Sequence, residues 1–230
     1  ESFAVRLCFN LILLTQCYLV FFQLFSDTIR FLVLVGLWAI FFILSLRNFR
    51  LKVTIIRAII YSIPTSFYNI MGTDYGTLPI SFFNLFSLLL LIVVMAEWII
   101  RNTIRVKKPL IAYLLFGLMI LLIIPTAYSF DIFNATKKYM NVVLFCILTL
   151  TALVTFVPPG IVNKLTKDYL GVAIVTTVGL VTQIIVYKSM GAAYGKLDVM
   201  GGMRTAYGFL FSDYSFLSLY LASAALLSIS

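Results

Sequence analysis

Histidine is absent from all 230 residues. That absence excludes Ser-His-Asp and Cys-His nucleophile systems, histidine-held metals and the usual proton shuttle near neutral pH. Any chemistry must run on Arg, Lys, Asp, Glu or Tyr. Cysteine is scarce: Cys8, Cys17 and Cys146 all fall inside apolar runs, are odd in number and form no CxxC pair. Neither a disulfide framework nor a zinc site is indicated, and the three read as small apolar packing residues. Walker, Rossmann and EF-hand patterns are missing, as is any internal repeat, so ATP hydrolysis and dinucleotide chemistry are unsupported. No cofactor and no metal are expected.

What is abundant is apolar sequence. Hydrophobic residues make up 63% of the chain and charged ones 11%, with a mean hydropathy of +1.10, well beyond the roughly half apolar content of a soluble domain. Runs at about 3–25, 31–46, 53–71, 80–100, 109–127, 139–157, 169–187 and 209–230 meet or approach the roughly 20 residues that a membrane-crossing helix needs. The sequence thus predicts an all-α polytopic transmembrane bundle of about eight spans, one membrane domain over residues 1–230. The second run is short and the third is interrupted by Arg57 and Pro64, so a re-entrant or kinked segment is an alternative there. The first run is too long for a removable signal peptide and no small-residue cleavage site follows it. A start at Glu1 and an end inside an apolar run suggest a fragment of a longer protein.

The net charge of +9 points to topology rather than nucleic acid, because Lys and Arg sit in short clusters between apolar runs. Arg6, Arg47, Arg50, Lys52, Arg57, Arg101, Arg105, Lys107, Lys108, Lys164 and Lys167 fall on one side, 11 in all, against 6 on the other: Arg30, Lys137, Lys138, Lys188, Lys196 and Arg204. The richer side is assigned to the cytoplasm, with the N-terminus inside. Asp27, Asp74, Asp131 and Asp198 all fall in the proposed outer connections. The basic inner connections are expected to anchor on anionic lipid head groups.

The most unusual stretch is the outer loop 188–208, where five of twelve glycines gather with three basic residues and with Tyr194 and Tyr207. Such a loop lets ligand approach the backbone, although a plain exposed linker fits as well. Within it Arg204 is the leading candidate. A guanidinium offers two parallel hydrogen bonds to a phosphate and stays charged at any physiological pH; a snorkelling head-group arginine is the bland alternative. Lys196 is placed to share the anion. Asp213, after Ser212, reads either as a helix cap or as a carboxylate that orients or deprotonates a sugar hydroxyl. Lys137 and Lys138 are set either to attract a diphosphate or to pair with Asp131 and lipid phosphate. Glu97 and Arg57, charges within or near spans, are functional candidates by default, although Glu97 beside Trp98 also suits an interfacial position.

The segment Gly201-Gly202-Met203-Arg204-Thr205-Ala206-Tyr207-Gly208-Phe209-Leu210-Phe211-Ser212-Asp213-Tyr214-Ser215-Phe216, after a glycine-rich outer loop, resembles the conserved region of bacterial O-antigen polymerases and O-antigen ligases. Tyr128-Ser129-Phe130-Asp131 leading to Lys137 and Lys138 is also similar to that family. The likeness covers about a hundred residues from Lys108 onward, and the earlier spans fit in hydropathy alone. The resemblance implies a metal-independent glycosyltransferase on the outer face of the bacterial cytoplasmic membrane. It would move an oligosaccharide from undecaprenyl pyrophosphate to a glycan hydroxyl. Arg204 would meet the lipid pyrophosphate, and a chain-length regulator or other assembly proteins would be partners. Family members have more spans than this chain, and ligases also use a histidine in a later outer loop, which a fragment of this extent would not show. Tyr207 and Tyr214, with Tyr128, Tyr187 and Tyr194, suit stacking on sugar faces, or simply an aromatic belt.

A secondary transporter or a lipid-linked glycan flippase is the rival reading, and a noncatalytic membrane subunit a third. Transporters set charge at mid-membrane on broken helices, whereas most spans here carry only residues such as Asn10, Gln16 and Gln183 at their middles.

Overall fold

The computed structural model describes residues 3–66, 81–101, 109–132, 135, 136, 139, 143, 146, 159–190, 207, 209–211 and 214–229. Among these every regular element is helical: α1 (Phe3–Phe21), α2 (Asp27–Leu46), α3 (Leu51–Ser62) with a 3₁₀ turn at Ile63–Thr65, α4 (Phe82–Arg101), α5 (Pro109–Leu121), α6 (Ile123–Ala127), α7 (Pro159–Met190) and α8 (Tyr214–Ile229). The helices α1, α2 and α7 are long and apolar enough to cross a membrane. Shorter apolar stretches occupy Phe82–Glu97, Tyr113–Ala127 and Leu217–Ile229. Among the described residues three helices reach full spanning length, where the sequence predicts about eight crossings, and the sixth run, 139–157, lies almost wholly outside the described residues.

The helix boundaries follow from local chemistry. α1 ends in a Schellman pattern: Leu24 N–H reaches Leu19 O at 3.1 Å and Gln23 N–H reaches Val20 O at 3.3 Å, with Gln23 left-handed at φ 49°, as this cap requires. Arg30 closes the turn into α2. Its Nε and Nη2 donate to the carbonyls of Leu24 (3.2 Å), Phe25 (2.9 Å) and Gln23 (3.4 Å), and its Nη1 meets Asp27 at 3.1 Å. Three carbonyls of the turn, which no helix ladder serves, are thereby given donors by one buried guanidinium.

α3 stops before Pro64, which sits in the 3₁₀ turn. Its 12 residues span only ~18 Å at 1.5 Å per residue, short of the ~30 Å hydrocarbon core. In its described part the third run, marked at 53–71 with a re-entrant or kinked segment as the alternative, is this short helix followed by the 3₁₀ turn. Pro125 has the same effect on the fifth run, since its ring crowds the carbonyl four residues back; the run divides at Leu122 into α5 and α6. The seventh run extends further than expected at both ends. α7 has 32 residues, ~48 Å by the same rise. Lys164, Lys167 and Lys188, assigned to connections by their charge, are helical.

Two compact units are present. One contains α1, α2, α3, α7 and α8 with Ser81–Phe83; the other contains α4 from Asn84 onward, α5 and α6. In the first, Asn10 lies against Gly171 and the Tyr18 hydroxyl meets Thr182 Oγ1 at 2.8 Å, so α1 and α7 run side by side in the same direction. The Tyr169 hydroxyl meets Ser223 Oγ at 2.6 Å, and the Tyr220 hydroxyl donates to Tyr169 O at 3.3 Å. With Phe209 against Gly179, these bonds make α8 antiparallel to α7. The free thiols Cys17 and Cys146 are buried and Cys8 partly so, in keeping with a packing role.

Candidate functional site

The first unit carries its most polar chemistry in its interior. Arg57, on α3, is fully buried, as is Asp168, on α7. The guanidinium grips the carboxylate with two bonds, Nε to Oδ2 at 2.6 Å and Nη2 to Oδ1 at 3.1 Å. Charge-assisted, two-pronged pairs of this kind are the strong class of hydrogen bond. The remaining valences are met nearby. Arg57 Nη1 donates to Ser45 Oγ at 3.4 Å, and Ser45 Oγ donates to Thr54 Oγ1 at 3.2 Å. The Tyr61 hydroxyl lies 3.4 Å from Asp168 Oδ1 and 3.3 Å from Asn10 Oδ1. The guanidinium is also sandwiched between Phe9 and Phe49, 4.7 and 4.6 Å from the ring centroids. Lys164 Nζ lies over the same Phe49 ring at 5.2 Å. Four helices thus meet on one ion pair.

The local sequence explains this convergence. Gly171 leaves room for Asn10, because a Cβ there would stand 2.9 Å from Asn10 Oδ1. Tyr61 packs edge-on to Phe9 and tilted on Phe41, at 5.9 and 5.2 Å, and Trp38 meets Phe41 at 5.3 Å. This aromatic layer keeps water from the pair and raises the strength of its electrostatics. Chemically the pair is a closed unit: donors and acceptors face each other, which suits it to fixing α3 against α7.

A second constellation lies at the other end of the unit. Phe209, Leu210 and Phe211 are buried, and the Phe209 N–H donates to Gln183 Oε1 at 2.8 Å. Phe209 takes a left-handed φ of 52°, uncommon for a bulky residue and sustained only where surroundings over-determine it. Its ring fills the space left by Gly179, which lacks the Cβ that would overlap it, and packs on Phe21 at 5.4 Å. Tyr207 is partly buried and sits edge-on to Tyr187 at 5.6 Å. Buried Gln16 and Gln183 each leave Nε2 without a hydrogen-bond partner among the described residues.

Of the residues singled out from sequence, Arg204, Asp213, Lys196, Lys137 and Lys138 lie outside the described residues, and of Tyr214 only the backbone, the first residue of α8, is described. Tyr207 is placed by its ring contact. Arg57 is a fully buried arginine on α3 rather than part of an exposed basic connection. Glu97 is half-buried near the end of α4 in the second unit. Sequence reasoning missed Asp168, Ser45, Thr54 and Tyr61. A signal for Asp168 was present: it shares one helical stripe with Val172, Thr176 and Gln183, all buried, at spacings that return to the same face. Beside Lys164 and Lys167 it read instead as loop. No three His, Cys, Asp or Glu side chains among the described residues gather as a metal site would need. Compared with models of known protein families, with curated proteins and with solved structures, the chain matches none of them.

Proposed function

We propose that this chain is a membrane glycosyltransferase of the polysaccharide polymerase or ligase type, acting on undecaprenyl-pyrophosphate-linked oligosaccharide at the outer face of a bacterial cytoplasmic membrane. In this reading about eight crossings carry the chain, its N-terminus is cytoplasmic, and the loop 188–208 faces outward. The observation that carries it is the tethering of Phe209 to Gln183 and Gly179. Covalent geometry keeps Arg204, five positions upstream, within about 18 Å of that anchor, and Asp213 follows Phe211 by two positions. A pinned aromatic turn beside a glycine-rich segment suits a site that must admit a large lipid-linked glycan and then hold its diphosphate. Pyrophosphate is a good leaving group, so the main requirement is fixed positive charge where negative charge grows, and arginine meets it without a metal. Lys196, Lys137 and Lys138 add attraction for the anion, Asp213 orients the acceptor hydroxyl, and Tyr207 and Tyr214 offer faces for sugar rings.

The test is polymer length on gels from cells that carry the full protein as their sole copy. Arg204→Ala is expected to abolish polymer and Arg204→Lys to reduce it strongly, because the fork is lost. Gln183→Leu should lower it and Gln183→Glu, which keeps the acceptor, should preserve it. Normal polymer from both Arg204 variants at normal protein level discards the assignment.

A transporter or lipid-linked glycan flippase is the second reading, favoured by the ion pair within a span. Under it, Asp168→Asn abolishes transport at unchanged protein level. Under the glycosyltransferase reading, any loss of polymer in Asp168→Asn follows loss of folded protein.

A further inference from the structure

Among the described residues, the end of the first unit that carries Arg57 and Asp168 is rich in cations without an acidic partner. Arg6, Arg47, Arg50, Lys164 and Lys167 belong to it, through the start of α1, the end of α2, the connection to α3 and the first turns of α7. The acids described in this unit are Asp27 and Asp168, and each is engaged by an arginine. Arg47 and Asn48 are exposed, and neither has a side-chain hydrogen bond or ion pair among the described residues. Arg6 has its Nε buried without an acceptor among them.

In this setting the start of α1 and the end of α2 flank an open cleft of about 490 Å³, lined by Ala4, Val5, Cys8, Leu44, Arg47 and Asn48. That volume falls in the roughly 300–1,000 Å³ range of small-ligand sites. The lining divides by chemistry: four apolar or weakly polar side chains on the two helices, then a guanidinium and an amide where α2 ends. A ligand that fits has an apolar stem and an anionic head. We propose that the cleft holds one anionic phospholipid, its phosphate on Arg47 and Asn48 and the upper part of an acyl chain along Val5, Cys8 and Leu44. Arginine offers phosphate oxygens parallel N–H donors, and Asn48 adds an amide donor. The site is independent of the donor glycan and of the loop 188–208.

Native mass spectrometry of the full protein, released from detergent with dioleoylphosphatidylglycerol, dioleoylphosphatidylcholine or inorganic phosphate, tests this. One phosphatidylglycerol should stay bound and phosphatidylcholine should not. Arg47→Ala, at an exposed position, should lower occupancy about tenfold, as loss of a charge-assisted contact does. Cys8→Trp, which fills the cleft and leaves the charge intact, should lower it similarly. Lys167→Ala removes the same charge from α7, away from the cleft, and should retain the lipid. The proposal is overturned if Lys167→Ala and Arg47→Ala weaken binding equally, which marks diffuse attraction. Equal retention of both lipids overturns it too, as does displacement of the lipid by millimolar inorganic phosphate, which assigns the site to a free anion.

Discussion

The buried pair between Arg57 and Asp168 allows a quantitative prediction. Replacing Asp168 by Leu removes both bonds, 2.6 and 3.1 Å long, from a guanidinium that has no exposed surface. The arginine keeps Ser45 Oγ at 3.4 Å and the rings of Phe9 and Phe49, and cation–π contacts give back only about 0.5–2 kcal/mol. Stranding one member of such a pair costs about 3–5 kcal/mol, about two to three and a half orders of magnitude in the unfolding equilibrium. Arg57→Met strands the carboxylate instead, with the Tyr61 hydroxyl 3.4 Å away as a weak substitute, and should cost at least as much. The double variant removes both charges together, which is often close to neutral when the replacements are apolar and of similar volume. It should therefore be more stable than either single variant, with an interaction of at least about 2 kcal/mol in the cycle. Unfolding in mixed micelles of dodecyl maltoside and increasing SDS measures all four proteins. Single variants within about 1 kcal/mol of the parent, or an additive cycle, would refute the reasoning that this pair closes the bundle.

Three glycines on helices give an ordered series. Gly36 has nothing within 4 Å of an added Cβ, Gly171 has the Asn10 amide at 2.9 Å, and Gly179 has the buried Phe209 ring in the way. In the same assay Gly36→Ala should be neutral or gain up to about 1 kcal/mol, Gly171→Ala should lose less than Gly179→Ala, and Gly179→Ala should lose about 1–3 kcal/mol. Any other order contradicts the packing of Phe209. At the turn between α1 and α2, Arg30→Lys should destabilise by about 1–2 kcal/mol, since an ammonium does not serve the carbonyls of Gln23, Leu24 and Phe25 together with Asp27. Faster amide exchange at residues 22–26 should accompany the loss, and unchanged exchange would assign Arg30 to the surface.

Some of this was legible without coordinates. Pro64 acts through its own missing N–H and ring and was read from sequence as an interruption of the third run; the division between α5 and α6 beside Pro125 was not, since 109–127 read as one run. Arg30 was legible only as one of six basic residues on the charge-poorer side; its role, donating to three carbonyls of the turn, lies in the folded structure. Arg57 was marked as costly in a span, yet its partner was hidden because Asp168 is 111 positions away and sits among lysines that suggest a loop. Gln183 was noted as one polar residue among several. Its role as the acceptor for Phe209 depends on two segments 26 positions apart.

The amino-acid sequence by itself determined that the chain is helical and suited to a membrane, because composition and run length set the solvent in which its backbone can be satisfied. It also marked Pro64 as the interruption of the third run. The tertiary structure alone decided which polar groups face each other: Arg57 with Asp168, Tyr61 with Asn10, Gln183 with the Phe209 backbone. Pairings of this kind depend on how helices pack and turn against one another, and no local propensity carries that information.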